Sequence, residues 1–145
     1  MQLTEHFTRE EFEKHGAMPD DCVASYTQLC QEILEPIRVH TNNPIRITSG
    51  YRSPESNKAA GGVSNSQHCA TATYCAADWW DPTADMRELF DWIRLESKLP
   101  FDQVILEHDG GTLSIIHTSW STTPRRQALE GATANQTGYK SWEVK

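Results

Sequence analysis

No apolar run in this chain approaches the ~20 residues needed to cross a bilayer, so an α-helical membrane span is excluded. Cationic excess is missing too. Lys and Arg number 13 against 20 Asp and Glu, for a formal net charge of −7 and a pI of about 5.3. No basic surface is left to neutralise phosphates, and neither nucleic acid nor an anionic membrane is expected as a partner. The four cysteines, Cys22, Cys30, Cys69 and Cys75, form no C-x-x-C pair, which excludes a zinc ribbon and a thioredoxin motif. Cys69 and Cys75 bracket Ala70-Thr71-Ala72-Thr73-Tyr74, and either a staple across that loop in an oxidising compartment or four reduced thiols fits the spacing. Met1-Gln2-Leu3-Thr4 lacks the charged and then apolar start of a secretory signal, so export is expected to need outside help. Internal repeats and linkers are absent as well.

What is present suits one domain. The chain has 145 residues, 37% of them hydrophobic and five of them Trp, enough for a core without staples. Thr8-Arg9-Glu10-Glu11 has the capping-box pattern and predicts a short helix through Phe12 and Lys14. Val23, Tyr26, Leu29, Cys30, Ile33 and Ile37 recur at helical steps from Asp20 or Asp21, with a kink or an early end expected at Pro36. Ile45-Arg46-Ile47-Thr48 alternates as a half-buried strand, and Cys75 to Trp80 reads as a second. Adjacent strand residues point to opposite faces, so only one of Trp79 and Trp80 can face a ligand. Ala59 to Asn65 is small in composition and suited to close backbone approach.

Asp81-Pro82 predicts a helix start, with Met86, Leu89, Phe90 and Ile93 on its buried face and an end before Pro100. Phe101–Leu106 and Leu113–Trp120 are strand-like and joined through Asp109-Gly110-Gly111. From Gly131 the chain is a polar tail, expected to be loosely held unless Tyr139, Trp142 and Val144 add an edge strand. The order predicts an α+β fold, a small, mainly antiparallel sheet covered by helices. A domain over residues 1–130 and a tail over 131–145 follow. His68, Asp78 and His117 stand at the borders of these elements, either as ordinary polar residues or as metal ligands.

Ile45-Arg46-Ile47-Thr48-Ser49-Gly50-Tyr51-Arg52-Ser53-Pro54, Asn57, Gly61-Gly62, Ser66-Gln67-His68, Ala76-Ala77-Asp78, Phe101 to Glu107 and Ile116-His117 together resemble the zinc D-Ala-D-Ala carboxypeptidase family. The closest look is to its phage and bacterial peptidoglycan peptidases, which share a fold with the hedgehog signalling domain. Pro124-Arg125-Arg126-Gln127 also looks like that family's ending. The resemblance implies one zinc ion on His68, Asp78 and His117, with Glu107 as general base, Arg52 beside the substrate carbonyl and Ser66 helping to place the substrate. Zinc held by neutral imidazoles and one carboxylate keeps a net positive charge and lowers the pKa of a bound water from about 15.7 to about 7.

The intervals from His68 to Asp78 and from Glu107 to His117 are both longer than that family's usual ones. Extra residues between His68 and Asp78 can loop out without moving either ligand, because closure entropy grows slowly with loop length. In the hairpin, a two-residue loop would put Glu107 and His117 on opposite faces. A three-residue loop restores one face but opposes Glu107 to Leu113, and only a wider loop centred near Thr112 brings Glu107 opposite His117.

The expected function is hydrolysis of a peptide bond in the peptidoglycan stem peptide by a monomer, of D-Ala-D-Ala carboxypeptidase or L-Ala-D-Glu endopeptidase type. A phage lysis enzyme held in the host cytoplasm until a holin releases it, or a virion-associated enzyme, suits the missing signal. The other reading is a wall-binding or virion structural module that keeps the fold without turnover.

Overall fold

The alternation of each strand sorts one sheet into an apolar face and a polar one. The structure, a computed structural model, describes residues 1–61, 66–111, 113–132 and 138–145. Its six strands are β1 (Arg46–Ser49), β2 (Tyr74–Trp80), β3 (Gln103–His108), β4 (Ser114–Ser121), β5 (Gln127–Ala132) and β6 (Lys140–Trp142), in spatial order β1-β2-β4-β3-β5-β6. Every neighbouring pair is antiparallel except β3 and β5. The expected α+β fold with a mainly antiparallel sheet is therefore observed.

Cys75, Ala77, Trp79, Val104, Leu106 and Ile116 face the helices and join Tyr26, Leu29, Ile33, Phe90 and Ile93 in the core. Each fully buried large side chain contributes about 1.5–3 kcal/mol. The two polar tips in this layer are satisfied, Tyr26 Oη donating to Ala76 O at 2.8 Å and Trp79 Nε1 to Thr118 Oγ1 at 3.1 Å. Trp79 is thus core, while half-buried Trp80 carries the Arg46 guanidinium 5.9 Å from its ring centroid. All four cysteines are free thiols; Cys75 points into the helix layer.

Helix α1 (Asp20–Leu29) runs through a wide π turn, Cys30–Leu34, into α2 (Glu35–Thr41). The helical path therefore passes Pro36 instead of stopping there, because the widened turn accommodates the missing N–H and the ring's clash with the preceding turn. It ends at Asn42, left-handed at φ 55°. The start predicted at Thr8 is a four-residue 3₁₀ turn, Arg9–Phe12, held by Thr8 N donating to Glu11 Oε1 at 2.9 Å. A short α3 (Pro54–Ala59), not expected from the sequence, is capped by Ser53 Oγ, which accepts from Ser56 N at 3.1 Å.

Helix α4 (Met86–Leu95) begins later than expected, capped by Asp85, whose side chain accepts from Glu88 N at 3.1 Å. Asp81 Oδ1 instead accepts from Thr83 N and Oγ1 at 2.8 and 2.7 Å, a local turn that competes with helix initiation. Described residues past Gly131 are held: β5 crosses residue 130, β6 forms the sheet edge, and Lys145 N donates to Arg94 O at 2.8 Å.

Glu130 pins this edge, bound by Arg87, by His108 Nε2 at 2.7 Å and by Trp142 Nε1 at 3.0 Å. Burial pushes its carboxyl up, but the hydrogen bonds from Arg87 and His108 outweigh it and hold the pKa down at about 2, against an ordinary 4.5. A depressed carboxyl stabilises the fold fully above the unfolded value, and that stabilisation disappears as pH falls from 4.5 towards 2. Glu130→Gln is expected to flatten the acid limb of a stability-against-pH curve over that window, measured by urea midpoints; an unchanged limb would refute the assignment.

Candidate metal centre

On the polar face, Asp78 of β2 stands directly opposite His117 of β4, and both lie on the floor of a cleft of about 650 Å³. The third residue, His68, comes from the loop between α3 and β2. His117 Nδ1 lies 2.9 Å from Asp78 Oδ1, and His68 Nε2 lies 3.2 Å from Asp78 Oδ2. The two rings meet edge to face, with centroids 5.2 Å apart. The donor atoms of all three side chains lie within 4.8 Å of one another, the two histidines buried and Asp78 half-buried.

The loop around Gly50 orients His68. His68 Nδ1 lies 2.7 Å from Gly50 O, which accepts its proton and fixes the ring with Nε2 turned towards Asp78. Arg52 N donates to His68 O at 2.8 Å, and Tyr51 N donates to Phe12 O at 2.8 Å, so this loop is clamped on both sides. At Gly50 a Cβ would come within 2.6 Å of Phe12 O, so only glycine fits the close approach. Gly50→Ala is expected to cost about 1–3 kcal/mol of stability, as overpacking does, and to weaken metal binding by shifting the carbonyl that holds His68; equal urea midpoints for variant and parent would refute this.

A bulge in β1 between Ile47 and Ser49 turns the strand edge towards the cleft, and Thr48 Oγ1 donates to Asp78 O at 3.2 Å. The residues between His68 and β2 turn back on themselves, with Thr71 N donating to Tyr74 O at 3.0 Å. The long interval still leaves His68 Nε2 3.2 Å from Asp78 Oδ2.

Burial pushes Asp78 up, but His68 and His117 outweigh it and hold the carboxyl well below its usual range, so the group stays ionised. Burial alone would lower His68, yet Asp78 raises it overall. Two imidazoles and an ionised carboxylate, with one imidazole fixed by a backbone carbonyl, are a donor set that fits a divalent metal with an open position.

The hairpin is wider than Asp109-Gly110-Gly111 suggests. Its pairs are Glu107 with Ile115 and Ile105 with His117. The loop spans residues 109–113 and centres on Gly111, with Thr112 outside the described residues, as are Gly62, Val63, Ser64 and Asn65 of the small-residue stretch. Glu107 and His117 share the cleft face as diagonal neighbours, roughly 7–8 Å apart at Cα in such pairs. Burial raises the Glu107 carboxyl above its usual range, against the attraction of His117.

Arg52 and Ser66 also line the cleft, and Ser66 Oγ accepts from His68 N at 3.2 Å. Sequence reading passed over Asp102 as a hub. Its carboxylate accepts from Arg125 Nε at 3.0 Å, Arg125 Nη2 at 2.7 Å and Gln67 Nε2 at 2.7 Å, tying the His68 loop to the entry of β5. The signal for it was present in Phe101-Asp102-Gln103. Tyr139, read only as a possible edge residue, also reaches the cleft.

Fold and site together define a small α+β protein with a His-Asp-His cluster that could hold a metal ion at the floor of a cleft. The chain belongs to the peptidase M15 family, whose profile matches residues 5–117 and whose members are metal-dependent peptidases. No curated protein matches the chain in a sequence comparison. No helix among the described residues is long and apolar enough to cross a membrane.

Proposed function

We propose that this protein is a zinc-dependent peptidase that hydrolyses a peptide bond in the stem peptide of peptidoglycan. The cut is of the D-Ala-D-Ala carboxypeptidase or L-Ala-D-Glu endopeptidase type. The observation that carries this reading is the convergence of His68, Asp78 and His117 within 4.8 Å on the floor of a cleft whose same face presents Glu107. When bound, zinc supplies Lewis acidity and an ionised water at neutral pH.

The chain's own residues do the rest. His68, Asp78 and His117 hold the ion. Glu107 takes the proton of the attacking water and returns it to the leaving amine. Arg52, on the cleft wall, offers its guanidinium to the oxyanion as the carbonyl becomes tetrahedral. Ser66 holds the His68 loop and helps to place the peptide. The protein acts as a monomer in phage or bacterial wall lysis or remodelling, either released from the host cytoplasm to the wall or carried on a virion.

Metal content, together with D-alanine or new amine termini released from purified peptidoglycan, tests the proposal. Zinc bound with turnover supports it. Zinc bound with no release from any wall type favours a non-catalytic wall-binding or virion module instead.

A further inference from the structure

We infer that Tyr139 is a positioning residue for Glu107, its ring laid across Gly131 so that its hydroxyl meets the carboxylate inside the cleft. The inference rests on the reading of Glu107 as the base. It starts from register. Ile115 of β4 pairs with Glu107 of β3, and Glu107 pairs with Gly131 of β5. The β5–β6 ladder ends with Glu130 opposite Lys140, and Gly131 and Tyr139 are the next residues along the two segments. Ile115, Glu107 and Gly131 thus form one row across the sheet, and the Tyr139 ring stands at its end, against Gly131.

Within that row Gly131 has no side chain, and the Tyr139 ring occupies the vacated space. A Cβ at Gly131 would lie 1.9 Å from Tyr139 Cδ1 and 2.3 Å from Cε1. The ring therefore lies directly on the backbone of β5, a path that any other residue at 131 would block. The ring enters the same cleft as Glu107, Asp78 and His117, at the place where Gly131 stands beside Glu107 in the β3–β5 register. Burial first, then the charges of Glu107 and Asp78, push the phenol up to about 12, so it remains a protonated donor at any working pH.

An aromatic ring covering a strand glycine is also a purely structural device. That device accounts for the ring and leaves the hydroxyl unexplained, since Phe would cover Gly131 equally well. A carboxylate offers two oxygens; a phenol on one fixes the side chain's rotation and leaves the other to take the proton. Tyr139 lies beyond residues 5–117, the segment matched to the family.

The test compares the zinc-loaded parent with Tyr139→Phe, Gly131→Ala and the double variant. Tyr139→Phe is expected to keep metal stoichiometry and Tm, to lose about tenfold in kcat, and to leave KM within about twofold, as misplacement of a catalytic group does. Gly131→Ala should show the same kcat loss with a lower Tm, and the double variant should be no slower than Gly131→Ala, because both act through one contact. Parental kcat in Tyr139→Phe, a raised KM at unchanged kcat, or losses that multiply in the double variant would each overturn the inference.

A readout independent of turnover is the ¹³C carboxyl signal of Glu107 in the metal-free protein. It should move in Tyr139→Phe while the backbone amide spectrum stays in place; an unmoved signal refutes the contact. A parent that binds zinc and releases nothing refutes the proposed function, and the carboxyl signal then still decides the Tyr139–Glu107 contact.

Discussion

Glu107→Gln is expected to bind zinc as the parent does and to lose about 10²–10⁴ in kcat, the usual worth of a positioned proton acceptor. The substitution keeps shape and half-buried position but removes the basic oxygen. Glu107 shares the cleft face with His117 through the even register of the hairpin, in which it opposes Ile115 and Ile105 opposes His117. Its carboxyl, raised by burial, is shifted towards the range in which a group both accepts and returns a proton near neutrality. Single-turnover release from peptidoglycan, with metal content measured on the same sample, checks the expectation. Parental turnover in the variant would assign the base elsewhere.

Asp78→Asn is expected to lose tight metal binding, and activity with it. Asp78 is the member of the cluster that meets both histidines, at 2.9 Å for His117 and 3.2 Å for His68, and it alone supplies anionic charge to the cluster. The loss should exceed the about 10–100-fold that follows removal of a supporting group around a metal. A metal that binds only the folded chain stabilises it by about 2.7 kcal/mol at a hundred times its Kd. Added zinc should therefore raise the parent's Tm, a chelator should reverse the rise, and the variant's Tm should respond to neither. A zinc-dependent rise of equal size in Asp78→Asn would remove Asp78 from the ligand set.

Strand alternation made much of this legible in advance. Ile45 to Thr48 and Cys75 to Trp80 read as strands because one face of each is apolar, and the observed β1 and β2 differ from them by a residue or so at the ends. The two helical faces were visible for the same reason at a different period. Local competition was not visible. Asp81-Pro82 predicted the helix start, but Thr83 N and Oγ1 donate to Asp81 and the cap falls to Asp85. Strand β5 was missed because Gln127-Ala128-Leu129-Glu130-Gly131-Ala132 carries little hydrophobic signal, and its pairing with β3 is long-range and parallel.

By itself the sequence determined the chemistry on offer: two histidines, an aspartate and a glutamate in motifs resembling a peptidase family, in a chain too acidic for nucleic acid and with no apolar run long enough for a membrane helix. Only the tertiary structure decided which side chains share a face. A five-residue hairpin loop in place of a three-residue one moves the partner of Glu107 two residues along β4, from Leu113 to Ile115, setting Glu107 diagonal to His117 rather than well beyond it. It also brought Tyr139, from the last stretch of the chain, across a bare Gly131 into the same cleft. The physical reason is the same in both cases: periodicity is a local property of the chain, whereas register is fixed by the packing of strands far apart in sequence.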